Sequence, residues 1–206
     1  MFRARGDGLP VSAIFVLGLL SACSRRDAPG QPAPAPASAA SITVPASAKV
    51  KLERETSVRE SGALVLARVG GALRTFIADE DDGAIVEIDR TTGAVVQTTK
   101  LGSRPRDLLV LADGRLATTL PDASAVAIYS RDEGSLLHED LRVKTPAEPI
   151  AMALDPADTT LYVSSGASHS LVTFSITSDG SKLEERARTL LGREPRAVLV
   201  LSLIHI

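Results

Sequence analysis

The densest cluster of side chains with chemical potential is Asp79-Glu80-Asp81-Asp82-Gly83, four carboxylates in a row before a glycine. A calcium loop would need oxygen ligands at alternating positions, a glycine at the sixth and a bidentate carboxylate at the twelfth. Here the glycine falls at the fifth position and Arg90 at the twelfth, so the run reads as a solvated acidic turn. His138 and His169 are the only histidines before residue 201, and neither has a cysteine or second histidine at metal-ligand spacing. No haem-attachment C-x-x-C-H, phosphate-binding loop, G-x-S-x-G elbow or dinucleotide fingerprint occurs. The residues thus nominate no catalytic, cofactor-binding or metal set. One reactive side chain is left, Cys23, the only cysteine of the chain.

Cys23 closes an N-terminal pattern. Arg3 and Arg5 precede Val11–Leu20, a ten-residue, mostly apolar stretch. That is too short to span about 30 Å of hydrocarbon, which takes about 20 helical residues, but it suits an export signal. Leu20-Ser21-Ala22 then places small residues before the cysteine. A lone thiol in an oxidising compartment has no internal disulfide partner. Leu20-Ser21-Ala22-Cys23 resembles the lipobox of bacterial lipoproteins. The resemblance implies cleavage before Cys23, diacylglycerol on its sulfur and acylation of the new amino terminus, so that membrane lipid is one partner. Several acyl chains anchor far more firmly than one. Ser24 and Arg25 follow with no Asp. Within that family this implies the outer membrane, with the protein facing the periplasm or the cell surface.

Residues 1–22 are therefore expected to be the signal and 23–49 a lipidated linker. Pro29, Pro32, Pro34, Pro36 and Pro45 stand there among Ala and Ser, a semi-extended spacer without a core. From Val50 to Glu60 the chain is charged and weakly alternating, which suits either an edge strand or a short amphipathic segment. The whole chain of 206 residues is 44% hydrophobic and 23% charged, ordinary for a globular protein. A net charge of −2 offers no electrostatic footprint for nucleic acid, and 3% aromatics without Trp argue against stacking platforms for bases, so no nucleic-acid partner is expected.

Residues 50–200 read as short strands punctuated by turns: 75–78, 84–89, 94–100, 108–111, 116–119, 125–130, 136–143, 150–154, 161–164 and 171–176. The best helical exception is Leu183–Leu191. The pattern is also periodic. Arg104-Pro105-Arg106-Asp107-Leu108 recurs at Glu148-Pro149-Ile150-Ala151-Met152 and at Glu194-Pro195-Arg196-Ala197-Val198, with prolines 44 and 46 apart. Ile85–Ile88 aligns with Val126–Tyr129 and with Val172–Ser175. A period of 40–50 residues with four short strands per unit predicts an all-β, partial β-propeller of about three antiparallel blades. An unrelated β-sandwich is the other architecture open at this strand density.

Gly83–Gly93 (GAIVEIDRTTG) and Thr160–Ser164 (TLYVS) resemble the YVTN-type propeller repeat over about residues 63–200. In that frame Arg104, Arg106, Arg193 and Arg196 either line one propeller face as an anion site or, the reading favoured here, are ordinary blade-edge charges. A closed propeller takes four to eight blades. Three would leave two large apolar faces uncovered. The C-terminal Leu201–Ile206 (LSLIHI) resembles one reading frame of a transposon end used in sequencing libraries, so a truncated reading frame with a non-native tail at 201–206 is expected.

Two functions follow. One is an envelope lipoprotein whose propeller binds or scaffolds a protein or small-molecule ligand, with no cofactor. The other rests on similarity of the tether and of lines such as Val110–Leu116 (VLADGRL) to bacterial lipoproteins that place a YVTN-type propeller before a di-haem domain of the cytochrome c peroxidase/MauG class. No catalytic residue transfers from that resemblance.

Overall fold

The computed structural model describes residues 49–54, 61–132, 136–177 and 180–201, all within one compact unit, Val44–Ile206. Cys23, the expected signal, most of the expected linker and residues 202–206 lie outside them. Fourteen strands form three separate antiparallel sheets. Short runs of β-branched and apolar residues between glycines and aspartates have nowhere to go but adjacent strand pairing.

Blade 1 is β3 (Leu64–Val69), β4 (Ala72–Asp79), β5 (Ala84–Asp89) and β6 (Val95–Lys100). Blade 2 is β7 (Leu108–Val110), β8 (Leu116–Leu120), β9 (Ala125–Asp132) and β10 (Leu137–Lys144), and blade 3 is β11 (Pro149–Leu154), β12 (Thr160–Ser165), β13 (Ser170–Ile176) and β14 (Leu183–Leu190). Within each blade the strands pair in sequence order, first to fourth. This is the propeller unit, not two sheets packed as a sandwich.

Two apolar layers hold the blades together. The forward face of blade 1 (Ala67, Phe76, Ile85) packs on the rear face of blade 2 (Leu108, Val110, Leu116, Ala127, Tyr129). The forward face of blade 2 (Leu109, Ala117, Val126, Ile128) packs on the rear of blade 3 (Met152, Leu154, Leu161, Val163, Val172, Phe174). Alternation along each strand therefore serves two neighbours at once. This is why blade 2, flanked on both sides, is buried along nearly all of β7, β8 and β9.

A strap precedes blade 1. β1 (Lys49–Val50) pairs with Arg131 and Asp132 of blade 2, and β2 (Leu52–Arg54) pairs with β3 of blade 1. The Arg54 guanidinium donates to the Val110 carbonyl at 3.0 and 2.8 Å in blade 2 and meets Asp158 at 3.2 Å in blade 3. Gly62 bridges Leu108, and the Ser61 N–H donates to the Met152 carbonyl at 2.7 Å. Of the two readings of the charged lead-in, residues 49–54 take the strand form.

Three sequence expectations need correction. Leu183–Leu190 is a strand, although Glu and Arg three to four apart satisfy a helical period. Only Leu183 is buried, and the other residues are exposed along an outer edge. Charges there keep a sheet edge from pairing with foreign strands. The third β5-type strand aligns one residue earlier than its apolar letters suggest. Ala84, Ala125 and Ser170 each open the strand, so Ile85 corresponds to Val126 and Leu171, not Val172. A one-residue slip exchanges the faces, and Val172 belongs to the rear layer against blade 2. Lastly, the forward face of blade 3 is not a large apolar sheet, since it carries Tyr162, Ser164, Leu171 and Thr173.

Candidate functional site

The loops entering the first strand and the third strand of every blade converge at one end of the molecule, and a repeated backbone device fixes them. The residue before the third strand is Gly83, Ser124 or His169, each at positive φ (60°, 48° and 46°). Its carbonyl accepts an N–H from just after the fourth strand: Leu101 at 2.9 Å, Thr145 at 2.9 Å and Leu191 at 2.7 Å. Only the first of the three is the glycine that a left-handed conformation favours. Sequence reading flagged that glycine and saw only a surface turn at His169, because Ser and His carry no signal for positive φ.

The residues nominated from sequence, His138 apart, spread along this end. Asp79 closes β4 and accepts the Asp82 N–H at 3.0 Å, while Lys100 bonds the Asp82 carboxylate at 2.9 Å. The acidic run is thus a tied, solvent-facing turn, and among the described residues no group of three His, Cys, Asp or Glu is placed to hold a metal. The Arg104 backbone N–H donates to the Asp122 carboxylate at 3.1 Å, and its exposed guanidinium lies 3.8 Å away from it. Arg196 lies 3.6 Å from Glu194, Arg193 is exposed, and Arg106 donates its backbone N–H to Thr119. Arg104 and Arg196 are thus blade-edge charges with acidic neighbours. His169 is exposed, and at the opposite end of blade 2 His138, in β10, sits against Asp132, the last residue of β9, at 2.7 Å.

Asp82, Gly83, Lys100, Ser103, Arg104 and Asp122 line a shallow depression of about 370 Å³ at this end. Its two cation–carboxylate pairs are exposed, so each contributes at most about 1 kcal/mol and can exchange for a ligand's charges. At the other end, Lys49, Asp113, Arg115, Ser130 and Asp140 border a second depression of about 340 Å³. There the Arg115 guanidinium is held by Asp113 at 2.8 and 2.6 Å and by the Gly180 carbonyl.

Sequence reading missed one polar junction. The Ser61 hydroxyl donates to Asp107 at 2.9 Å and accepts the Met152 N–H at 2.6 Å, joining strap, blade 2 and blade 3. Neither His138 nor His169 takes part; the hydroxyl's partners are the Asp107 carboxylate and the Met152 N–H. Burial pushes the Asp107 carboxyl above the ordinary carboxylate value; the Ser61 hydrogen bond and Arg106 oppose the shift, and Glu80 adds to it. Because the folded form then holds its proton more tightly than the unfolded chain, stability falls as pH rises from the ordinary value to the raised one. Asp107→Asn keeps an acceptor for Ser61 and removes the charge. It is expected to flatten that pH slope and leave stability at neutral pH equal or higher; denaturation midpoints across pH 3–7 that still track wild type would contradict this.

No family model and no curated protein matches the chain in sequence. Solved structures do match in fold. A putative 6-phosphogluconolactonase from Bacteroides fragilis superposes with a TM-score of 0.53 at 17% identity, over 60% of this chain and 37% of that one. The corresponding protein of Bacteroides uniformis gives 0.53 and 16%, over 60% and 38%. The periplasmic gluconolactonase of Pseudomonas aeruginosa gives 0.51 and 15%, over 73% and 56%. This chain spans between 37% and 56% of the length of these three. The likeness is one of architecture: an all-β, propeller-like chain of three blades.

Proposed function

We propose that the protein is a membrane-anchored, extracytoplasmic lipoprotein whose propeller blades form a binding or scaffolding module. The observation that carries the binding half is the repeated carbonyl bond at Gly83, Ser124 and His169. It holds three loops of unrelated side chains in one backbone geometry, so that specificity can vary without disturbing the frame. The depression between Lys100, Arg104, Asp82 and Asp122 suits a polar ligand that carries charge. Fold alone does not assign an activity, since propellers host many.

The anchoring half rests on Cys23 and the apolar segment before it. Cys23→Ser is expected to abolish lipid labelling and to leave the protein either released from the membrane fraction or unprocessed. Unchanged labelling and fractionation would remove the lipoprotein reading. For the module itself, the gene sequence downstream of the Val200 codon is the discriminating measurement. Further blades followed by a stop fit a binding module. C-x-x-C-H motifs would replace that reading with a propeller ahead of a di-haem redox domain.

A further inference from the structure

At the end opposite the positive-φ loops, the strap crosses the turn between β7 and β8, Asp113-Gly114-Arg115, and borders a depression with it. The crossing is tight. Gly114 sits at φ 84°, and a Cβ there would overlap the Lys51 side chain and lie 2.7 Å from the Leu52 carbonyl oxygen. The Leu52 N–H donates to the Gly114 carbonyl at 3.0 Å, which closes the strap onto the turn. Gly180, between β13 and β14 of blade 3, backs the Arg115 guanidinium and accepts from its Nη2. Strap, turn and blade 3 therefore fix the floor of the depression through the backbone.

Three cations, Lys49, Lys51 and Arg115, stand around these 340 Å³ with two carboxylates, Asp113 and Asp140. Both carboxylates are engaged. Asp113 accepts from the Arg115 Nε and Nη2 at 2.8 and 2.6 Å and from the Arg115 backbone N–H at 3.0 Å. Asp140 accepts from the Ser130 hydroxyl at 2.9 Å and from the Lys49 ammonium at 3.0 Å. The cations keep donors to spare. Lys51 is exposed and has no side-chain hydrogen bond or ion pair among the described residues. The Arg115 Nη1 makes no hydrogen bond among them either, and reaches Asp140 only at 4.0 Å. Lys49, 66% exposed, gives Asp140 one of its three ammonium hydrogens. The lining carries one positive charge more than its carboxylates neutralise.

Donor geometry selects the anion. A carboxylate is matched by the planar two-nitrogen fork of an arginine. On Arg115 that fork is already filled by Asp113. What is left is three separate nitrogen donors on two elements, which suits an oxyanion whose oxygens point in several directions. We infer that the depression between the strap and the β7–β8 turn binds a phosphate group, free or on a lipid headgroup, held by Lys49, Lys51 and the Arg115 Nη1. Two of the three donors lie on the strap and the third on blade 2. Occupancy and retention of the strap are therefore coupled, each favouring the other by the same factor.

The test is hydrogen exchange at the Leu52 N–H of the full-length protein, at constant ionic strength. A ligand that binds only the closed strap lowers the open population by a factor of one plus its concentration over Kd. Inorganic phosphate at about ten times its Kd should then slow the exchange about tenfold. Lys51→Gln should lose most of that protection, whereas Lys144→Gln, at the far end of β10, should keep it. Phosphatidylglycerol vesicles without free phosphate separate the two sources: protection by the vesicles identifies a lipid headgroup, and protection by the ion alone a soluble phosphate. Protection by neither, equal protection by acetate, or protection that survives Lys51→Gln would each overturn the inference.

Discussion

Arg131→Met is expected to destabilise the protein by about 3–5 kcal/mol, because it strands a buried carboxylate. Glu87 and Arg131 are 4% and 6% exposed and make contacts of 3.2–3.3 Å across the blade 1–blade 2 interface. The remaining cation near Glu87 is Arg74, whose Nε lies 3.5 Å away without forming a hydrogen bond and whose Nη1 is committed to Asp89. The double variant Glu87→Leu/Arg131→Met removes both charges and fills the space, and it should recover most of the loss, since a buried pair seldom outweighs a well-packed apolar replacement. Urea midpoints read both outcomes. A single variant within about 1 kcal/mol of wild type would mean that water reaches the pair.

Phe174→Ala should cost a similar amount at the other interface, about 3–5 kcal/mol. The ring is 1% exposed and packs in one cluster with Met152, Leu161 and Val172 of its own blade and Leu109 and Ile128 of blade 2. Truncation leaves a cavity between two sheets whose backbones are held by their own ladders and cannot collapse into it. For a body of this size the melting temperature should fall by roughly 6–20 °C. Leu190→Ala, at a side chain 78% exposed on the outer edge, is the matched control and should stay within about 0.5 kcal/mol. Equal effects at the two positions would contradict the placement of Phe174 in an interface core.

How far the sequence disclosed this arrangement follows from which signals are local. β5 was legible to the residue, Ala84–Asp89, because alternation and flanking turn residues coincide there. The blade period was legible from its prolines. The face of β13 was not: Leu171-Val172-Thr173-Phe174 offers apolar residues on both parities, and only packing against blade 2 selects Val172 and Phe174. Leu183–Leu190 misled because an edge strand defended by charges and a salt-bridged helix share the same residue types. At the loop end, the acidic turn could be dismissed from spacing alone. Ser61 could not be found, since its partners Asp107 and Met152 lie 46 and 91 residues away and its hydroxyl has no motif.

The strap has a mechanical consequence. Among the described residues, a load transmitted along the chain from its N-terminal side first reaches Lys49. The first holds it meets there, among the described residues, include two residues of β1 on β9, three of β2 on β3 and the Arg54 side chain, and then Ser61. The interior blade strands behind them are zipped along both edges by longer ladders. Elements in series yield at the weakest, and short, exposed pairings open most easily. Under tension the strap would peel away first and spare the blades: a fuse placed between the N-terminal side of the chain and the three sheets behind it.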